Sequence, residues 1–347
     1  MVSENLLVSV IIVNHNGRDF VDDCLTSVLN SNYPHFDVIF VDNASTDGSL
    51  RHVKEKFGGD SRLRFVENSA SLGPAVGRNR GAKIAKSKYL IFLDNDTKVD
   101  PDWINELTKV LENDNSIGAA QAKLLRMGTD EYDCAGDYLG PLGFLIERAR
   151  GAKDEGQFDY ITDILSAKSV ASIIRKDIFD KIGNFDESYY MYLEETDLSW
   201  RVWLSGHRVV FVPNSIVYHA FNTPRKDFKR YYPKYVVRYY GCRNYISTLV
   251  KNLEFINLLK ILPLHMVCWF LISILFLFRF NLADTFYIWR AMGWNIFHFG
   301  SLLKKRYYIN ADIREVHDHD ILSRVMDKRN IGYYLGKAFS YVSGKAF

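Results

Sequence analysis

Asp94 and Asp96 follow the apolar run Tyr89 to Leu93 two residues apart, with Asn95 between them. At the end of a buried strand, that spacing can aim both carboxylates at one hard divalent cation. With 41 acidic residues in 347, about five acid-x-acid triplets arise by chance, so the position after the run carries the signal. Two solvated turn aspartates capping the next helix are the competing account. Asp42 closes another apolar run and could accept a hydrogen bond from a nucleobase imide, with the backbone near Val13 and Asn14 adding edge contacts; the alternative is an Asx-turn residue. For Asp47-Gly48, turn and cap chemistry is the better account. Glu194, Glu195 and Asp197 open a helix after Tyr189, Tyr190 and Tyr192. Like-charge crowding beside partly apolar surroundings is one way to raise a carboxylate pKa for base work, and acids favoured by the helix dipole explain the same residues. His219, after Ile216 to Tyr218, is either a third metal ligand or a satisfied structural histidine.

Gly73, Gly77, Arg78, Asn79, Arg80 and Gly81 surround a helix start, where free N–H groups and guanidinium forks favour a diphosphate. No G-x-x-x-x-G-K-[ST] loop is present, and no G-x-G-x-x-G follows a strand, which argues against a P-loop NTPase or a dinucleotide-dependent dehydrogenase.

These residues need elements that bring them together. The runs Val8 to Val13, Val38 to Val41, Leu63 to Val66, Tyr89 to Leu93 and Ile117 to Ala122 are expected as strands, alternating with helices that carry start signals: Pro74 opens one, and Asp100 with Pro101 precedes Trp103. Such alternation predicts a mostly parallel, doubly wound α/β sheet, which binds ligands at the carboxyl ends of its strands. Three of those ends read Asn14-His15-Asn16-Gly17, Asp42-Asn43 and Asp94-Asn95-Asp96. The Gly-rich region Met127 to Ala167 reads as loops and short strands lining a second substrate site. Beyond it, Ser169 to Ile174 is expected as a strand, Lys176 to Ile182 and Glu195 to Ser205 as helices, and Arg208 to Val212 as a strand.

The composition, 48% apolar and 24% charged, supports a folded core and excludes a disordered chain. Four cysteines without a CxxC pair support neither a disulfide framework nor a zinc site, and the N-terminal run reads as a buried strand rather than a signal peptide, so a reducing, cytosolic setting is expected. The net charge of +3 conceals an asymmetry: residues 222 to 347 hold 20 Lys and Arg against 8 Asp and Glu. A basic, aromatic tail suits phosphate-bearing surfaces, either anionic lipid or nucleic acid. Ile261 to Phe278 is 18 residues without a charge, and Phe286 to Leu303 has aromatics at helical spacing suited to a membrane interface. A monotopic hairpin on the membrane is therefore expected, in preference to nucleic-acid binding; a soluble helical subdomain or a homodimer interface is the alternative.

The ordered segments VSVIIVNHNG, VDNASTDGS, LGPAVGRNRG, YLIFLDND, GNFDESYYMYLEETDLSWR and VYH resemble family 2 glycosyltransferases of the GT-A fold, particularly rhamnosyltransferase-like members, over roughly residues 6 to 222. The resemblance implies a catalytic domain over residues 1–225 and a membrane-associated helical region over 226–347. It implies that Asp94 and Asp96 form a DxD-type motif for Mg²⁺ or Mn²⁺, with His219 beside the metal. Asp42 would read the base, with Val13, Asn14, Asn43, Asn79, Arg80, Asp94 and Asn95 around the nucleotide-sugar. Glu195 would be the base that activates the acceptor, with Glu194 beside it and Asp197 in support. Relatives often carry Asp at the position of Glu195 and keep the last acid of the metal motif best. The implied activity is inverting transfer from a dTDP-, UDP- or GDP-sugar to a lipid-linked saccharide or another envelope glycan, at the cytoplasmic side of the cell membrane. The alternatives are a non-catalytic nucleotide- or glycan-binding scaffold and a sugar nucleotidyltransferase.

Overall fold

A computed structural model describes residues 7–220 and 233–343. The chain divides into two units, one comprising residues 1–137 and 147–221, the other residues 138–146 and 222–347. The boundary expected at 225 lies outside the described residues.

The first unit is built on one mixed sheet. The strands among the described residues, in chain order, are β1 (Val8–Asn14), β2 (Phe36–Asp42), β3 (Leu63–Glu67), β4 (Tyr89–Asp94), β5 (Thr97–Val99), β6 (Ile117–Arg126), β7 (Tyr132–Cys134), β8 (Asp137–Leu139), β9 (Leu145–Glu147), β10 (Thr162–Asp163), β11 (Ala171–Arg175) and β12 (Arg208–His219), of which β8 and β9 belong mostly to the second unit. The main sheet runs β10-β12-β6-β11-β4-β1-β2-β3, with β5 on β12 and β7 on β6, while β8 and β9 form a separate hairpin. Strands β1 to β4 are parallel, and β11 is antiparallel to both β4 and β6. The chain winds outward from β1 through β2 to β3, then returns to the other side of β1 as β4. The switch point, where open α/β sheets bind ligands, therefore lies between β1 and β4.

The expected strands form because their runs are apolar on both faces, as a sheet covered on both sides requires. Val8, Val10, Ile12, Val38, Phe40, Ile91 and Leu93 are all buried in one core with Trp103 and Leu107. Helices α1 (Val21–Leu29), α2 (Ser49–Phe57), α3 (Pro74–Ile84), α4 (Trp103–Asn113), α5 (Lys176–Lys181) and α6 (Glu194–Leu204) flank the sheet. A Cβ on Gly77 would lie 2.8 Å from Val13, so the glycine lets α3 press against β1 at the ligand edge.

Several boundaries differ from the sequence expectation. Helix α4 starts two residues after Pro101, with Asp102 at its N-cap, because Asp100 instead closes a turn by accepting from the Asp102 N–H. The last strand does not stop at Val212. A bulge between Val212 and Ile216 absorbs Pro213, which has no N–H for the ladder, and the strand resumes to His219. That continuation carries the histidine to the site.

The second unit is helical: α7 (Lys234–Asn252), α8 (Phe255–Phe278), α9 (Leu282–Phe297), α10 (Phe299–Tyr308), α11 (Asp318–Val325) and α12 (Ile331–Ser343). The stretch from Phe286 to Leu303 is broken at His298 instead of forming one helix. Helix α8 begins before the charge-free run and is long and apolar enough to cross a membrane. Its inner stripe, Ile261, His265, Trp269, Ile272 and Phe276, is buried at helical spacing, while Leu259, Leu264, Val267, Phe270 and Leu271 are exposed. A helix that is apolar all round but half exposed leaves a face that water does not favour.

Candidate active site

The parallel register sets the first row of the site. Asn14 pairs with Asp42, and Val13 with Asp94, so three strand ends stand side by side. Asn14, fully buried, brings its Nδ2 within 3.0 Å of Asp42 Oδ1 and Ser45 Oγ and 2.8 Å of Ser49 Oγ, while its Oδ1 accepts from Asn95 Nδ2 at 2.6 Å. Asp42, also buried, accepts a second bond from the Ser45 N–H. Asp47 accepts from the Ser49 N–H beside left-handed Gly48, the turn chemistry expected of that pair. Asn43 donates to the Gly73 carbonyl and accepts from Asn68 and the Leu72 N–H, tying β2 to the loop that opens α3.

The second row lies past β4. Asp94, Asp96 and His219 present ligand atoms that all fall within 4.8 Å of one another. His219 arrives from β12 by pairing with Thr97, and the following Ala220 N–H bonds to the Asp96 carbonyl. Its Nδ1 donates to Asp133 Oδ2 at 2.9 Å, which turns Nε2 toward Asp96 at 3.5 Å. Burial works against its charged form, yet Asp133 and Asp96 together raise its pKa to about 10. Burial and the neighbouring Asp96 charge push the Asp94 carboxyl up, against the pull of Arg78. Two crowded carboxylates and an oriented imidazole form a donor set that fits a divalent cation, and the Asp133 bond supplies the outer support that ligating histidines use.

Arg78 joins the metal-side carboxylates to the helix that carries the expected base. Sequence alone placed it with diphosphate-binding groups; in the structure its guanidinium is buried, bonding Asp94 Oδ1 at 3.0 Å and Glu194 Oε1 at 2.9 Å. Glu194 is therefore held within the protein; burial and the Glu195 charge raise its pKa to about 8 against the pull of Arg78. Glu195, partly exposed in the first turn of α6, acts electrostatically on Arg78 and also on Asp137 and Lys168. Lys168 Nζ lies 3.1 Å from Asp137 and 3.3 Å from Glu147. The loop carrying Lys168 is fixed to α6 by Ser166–Thr196 and Ala167–Ser199 hydrogen bonds.

Asp197 is fully buried and paired with Arg201, whose remaining donors hold the Ile182 and Asn184 carbonyls. Asn79 bonds the Phe185 carbonyl and Glu187, and Arg80 bonds Asn68, so both side chains fasten loops around the cleft. Tyr190, Tyr192 and Leu193, immediately before α6, all have positive φ near 65°. Such conformations are unfavourable for bulky residues and cluster at functional sites. Asp133 and Lys168 went unnoticed in the sequence, because Asp133 lies in the weakly periodic segment, Lys168 directly follows it, and each meets its partner only through the fold.

A mixed, mostly parallel sheet with flanking helices and strand-end carboxylates at its switch point is an α/β fold of the GT-A type. Residues 9–183, half of the chain, match the model for glycosyl transferase family 2, and the chain belongs to that family. It is 28% identical over 230 residues to the O-antigen biosynthesis protein RfbC of Myxococcus xanthus, covering 63% of this chain and 18% of that protein. It is 32% identical over 120 residues to the poly(ribitol-phosphate) beta-glucosyltransferase of Bacillus spizizenii, covering 32% of this chain and 18% of the relative. The chain thus spans less than a fifth of the length of either protein. Among solved structures, the mannosyltransferase PcManGT of Pyrobaculum calidifontis, in complex with GDP-Man and Mn²⁺, shares the fold with a TM-score of 0.52 at 15% identity, covering 88% of this chain and 85% of that one. S. aureus TarS in complex with UDP also has a TM-score of 0.52, at 20% identity, over 75% of this chain and 70% of that one.

Proposed function

We propose that the chain transfers a sugar, with inversion, from a nucleoside-diphosphate sugar to a hydroxyl of a lipid-linked saccharide or other envelope glycan precursor. The observation that carries this reading is the convergence of Asp94, Asp96 and His219 at one strand edge, with Arg78 linking them to the start of α6. Asp94, Asp96 and His219 would hold Mg²⁺ or Mn²⁺, which supplies positive charge against the negative charge developing on the leaving diphosphate. Asp42 and the Val13–Asn14 backbone border the base, while Asn43, Asn95, Asn79 and Arg80 hold the surrounding loops in shape.

Glu195 takes the proton from the acceptor hydroxyl as that oxygen attacks the anomeric carbon in line. The bond from that carbon to the diphosphate oxygen breaks on the opposite face, so one displacement inverts the centre. Glu194 is committed to Arg78 and Asp197 to Arg201, which leaves Glu195 as the acid available to the acceptor. The envelope-polymer names of the two relatives and the exposed apolar face of α8 support an acceptor and a workplace at the cytoplasmic membrane face. Glu195→Gln is expected to abolish transfer while keeping nucleotide affinity, measured by metal-dependent release of UDP, dTDP or GDP and by nucleotide titration. A Gln variant that still turns over would remove Glu195 from the mechanism.

A further inference from the structure

We propose that the helical unit holds a lipid phosphate headgroup in a cationic cavity, with the lipid's hydrocarbon laid on the exposed apolar turn between α8 and α9. This rests on the membrane-facing part of the reading above, and not on sugar transfer. The cavity, about 360 Å³, opens where the first turns of α7 and α9 meet the end of α12, and Lys234, Arg238, Asn281 and Asp284 line it. Its volume lies within the range of small-molecule sites, roughly 300–1,000 Å³.

Arg238 is 3% exposed. One arm of its guanidinium pairs with Asp284, and its face rests 4.2 Å from the Phe276 ring centroid and 5.4 Å from that of Tyr341. Its Nε has no hydrogen-bond partner among the described residues, an unmet demand in a buried guanidinium that carries five donors. Asp284 is already engaged by Arg238 and Asn281, so it cancels one charge, and Lys234 leaves the cavity with a net positive charge. The N-terminal turns of α7 and α9 add the positive ends of two helix dipoles. An anion of phosphate type answers all three features.

The hydrocarbon follows from what flanks Asn281. Phe278, Phe280 and Leu282 are 78%, 91% and 64% exposed, and Phe280 is held with φ at 56°. Phe280 and Leu282 stand one Cα step, about 3.8 Å, on either side of the cavity-lining Asn281. Large apolar groups so presented beside a buried cation match a single amphiphile, headgroup inward and chain outward. A free phosphate leaves the turn unexplained, and a neutral bilayer leaves the cavity unexplained.

Flotation of the full chain tests this with three vesicle types: phosphatidylcholine alone, with phosphatidic acid, and with phosphatidylglycerol at equal charge. The expected result is binding to all three, with affinity roughly tenfold higher for the phosphomonoester lipid, phosphatidic acid, than for phosphatidylglycerol. Lys234→Glu, at an exposed position, removes that preference and keeps phosphatidylcholine binding; Phe280→Ser weakens binding to every vesicle. A Lys234→Glu variant with its preference intact overturns the cavity while the membrane reading stands. No binding to any vesicle, including self-association in its place, overturns both. A rise in melting midpoint with inorganic phosphate alone, without lipid preference, assigns the cavity to a soluble anion and also overturns the proposal.

Discussion

Replacing Arg78 by leucine removes the guanidinium that joins Asp94 to Glu194, and the structure sets the size of the effect. The Asp94 side chain is 32% exposed, so that arm is screened and contributes at most about 1 kcal/mol. The other arm is different: Arg78 and Glu194 side chains are 7% and 5% exposed. Stripping one partner from such a pair typically costs about 3–5 kcal/mol. Glu194 can escape part of that cost by taking up a proton, since burial and Glu195 already raise its pKa to about 8. A net loss of about 3 kcal/mol follows near neutral pH, or roughly 6–12 °C in the melting midpoint of a domain this size. The loss should grow in alkaline buffer, where Glu194 would be left charged. The double variant Arg78→Leu/Glu194→Leu should recover at least half of the loss, because no buried charge then lacks a partner. Calorimetric melting of the parent, the two single variants and the double variant provides the cycle. An Arg78→Leu midpoint within about 2 °C of the parent, or a double variant no better than the single, would refute the reasoning.

Glu194→Gln makes the pH argument directly. A carboxyl whose folded pKa lies above its unfolded value is stabilising only while protonated, so its contribution fades as pH rises through about 8. In metal-free protein the Gln variant should therefore gain on the parent between about pH 5 and about pH 9, as read from paired melting curves; a constant difference would sink the assignment. Asp133→Asn exchanges the charged acceptor of the His219 Nδ1 proton for a neutral amide and should weaken Mn²⁺ affinity roughly 10–100-fold, measured by titration with nucleotide present, with the melting midpoint little changed.

Much of this site was written in local chemistry. Asp42, Asp94 and Asp96 each follow a run of buried residues, and in a parallel sheet such positions share an edge whatever the details of packing. The helix start at Glu194 was equally legible from its cluster of acids. Local pattern could not say where Arg78 points: in sequence it looks like an anion-binding group at a helix start, and only the approach of α6 turns it to carboxylates. His219 was legible at a strand end, but not that its strand continues from Arg208, because Pro213 ends the apolar run before the bulge lets pairing resume. Asp133 sits among glycines without periodicity and Lys168 in the break before β11, so their side-chain partners are set by tertiary contacts alone. The grouping of residues 138–146 with the C-terminal helices has no sequence signal, since the hairpin resembles its neighbours in composition.

The pairing of Asn14 with Asp42 and of Val13 with Asp94 ties chemistry to architecture. Successive residues in a strand point to opposite faces, so the loss or gain of a single residue within β1 would send Asn14 to the wrong side and unseat its four polar neighbours at once. The three central strands must therefore be inherited in fixed step with one another, whatever changes at the far edges of the sheet.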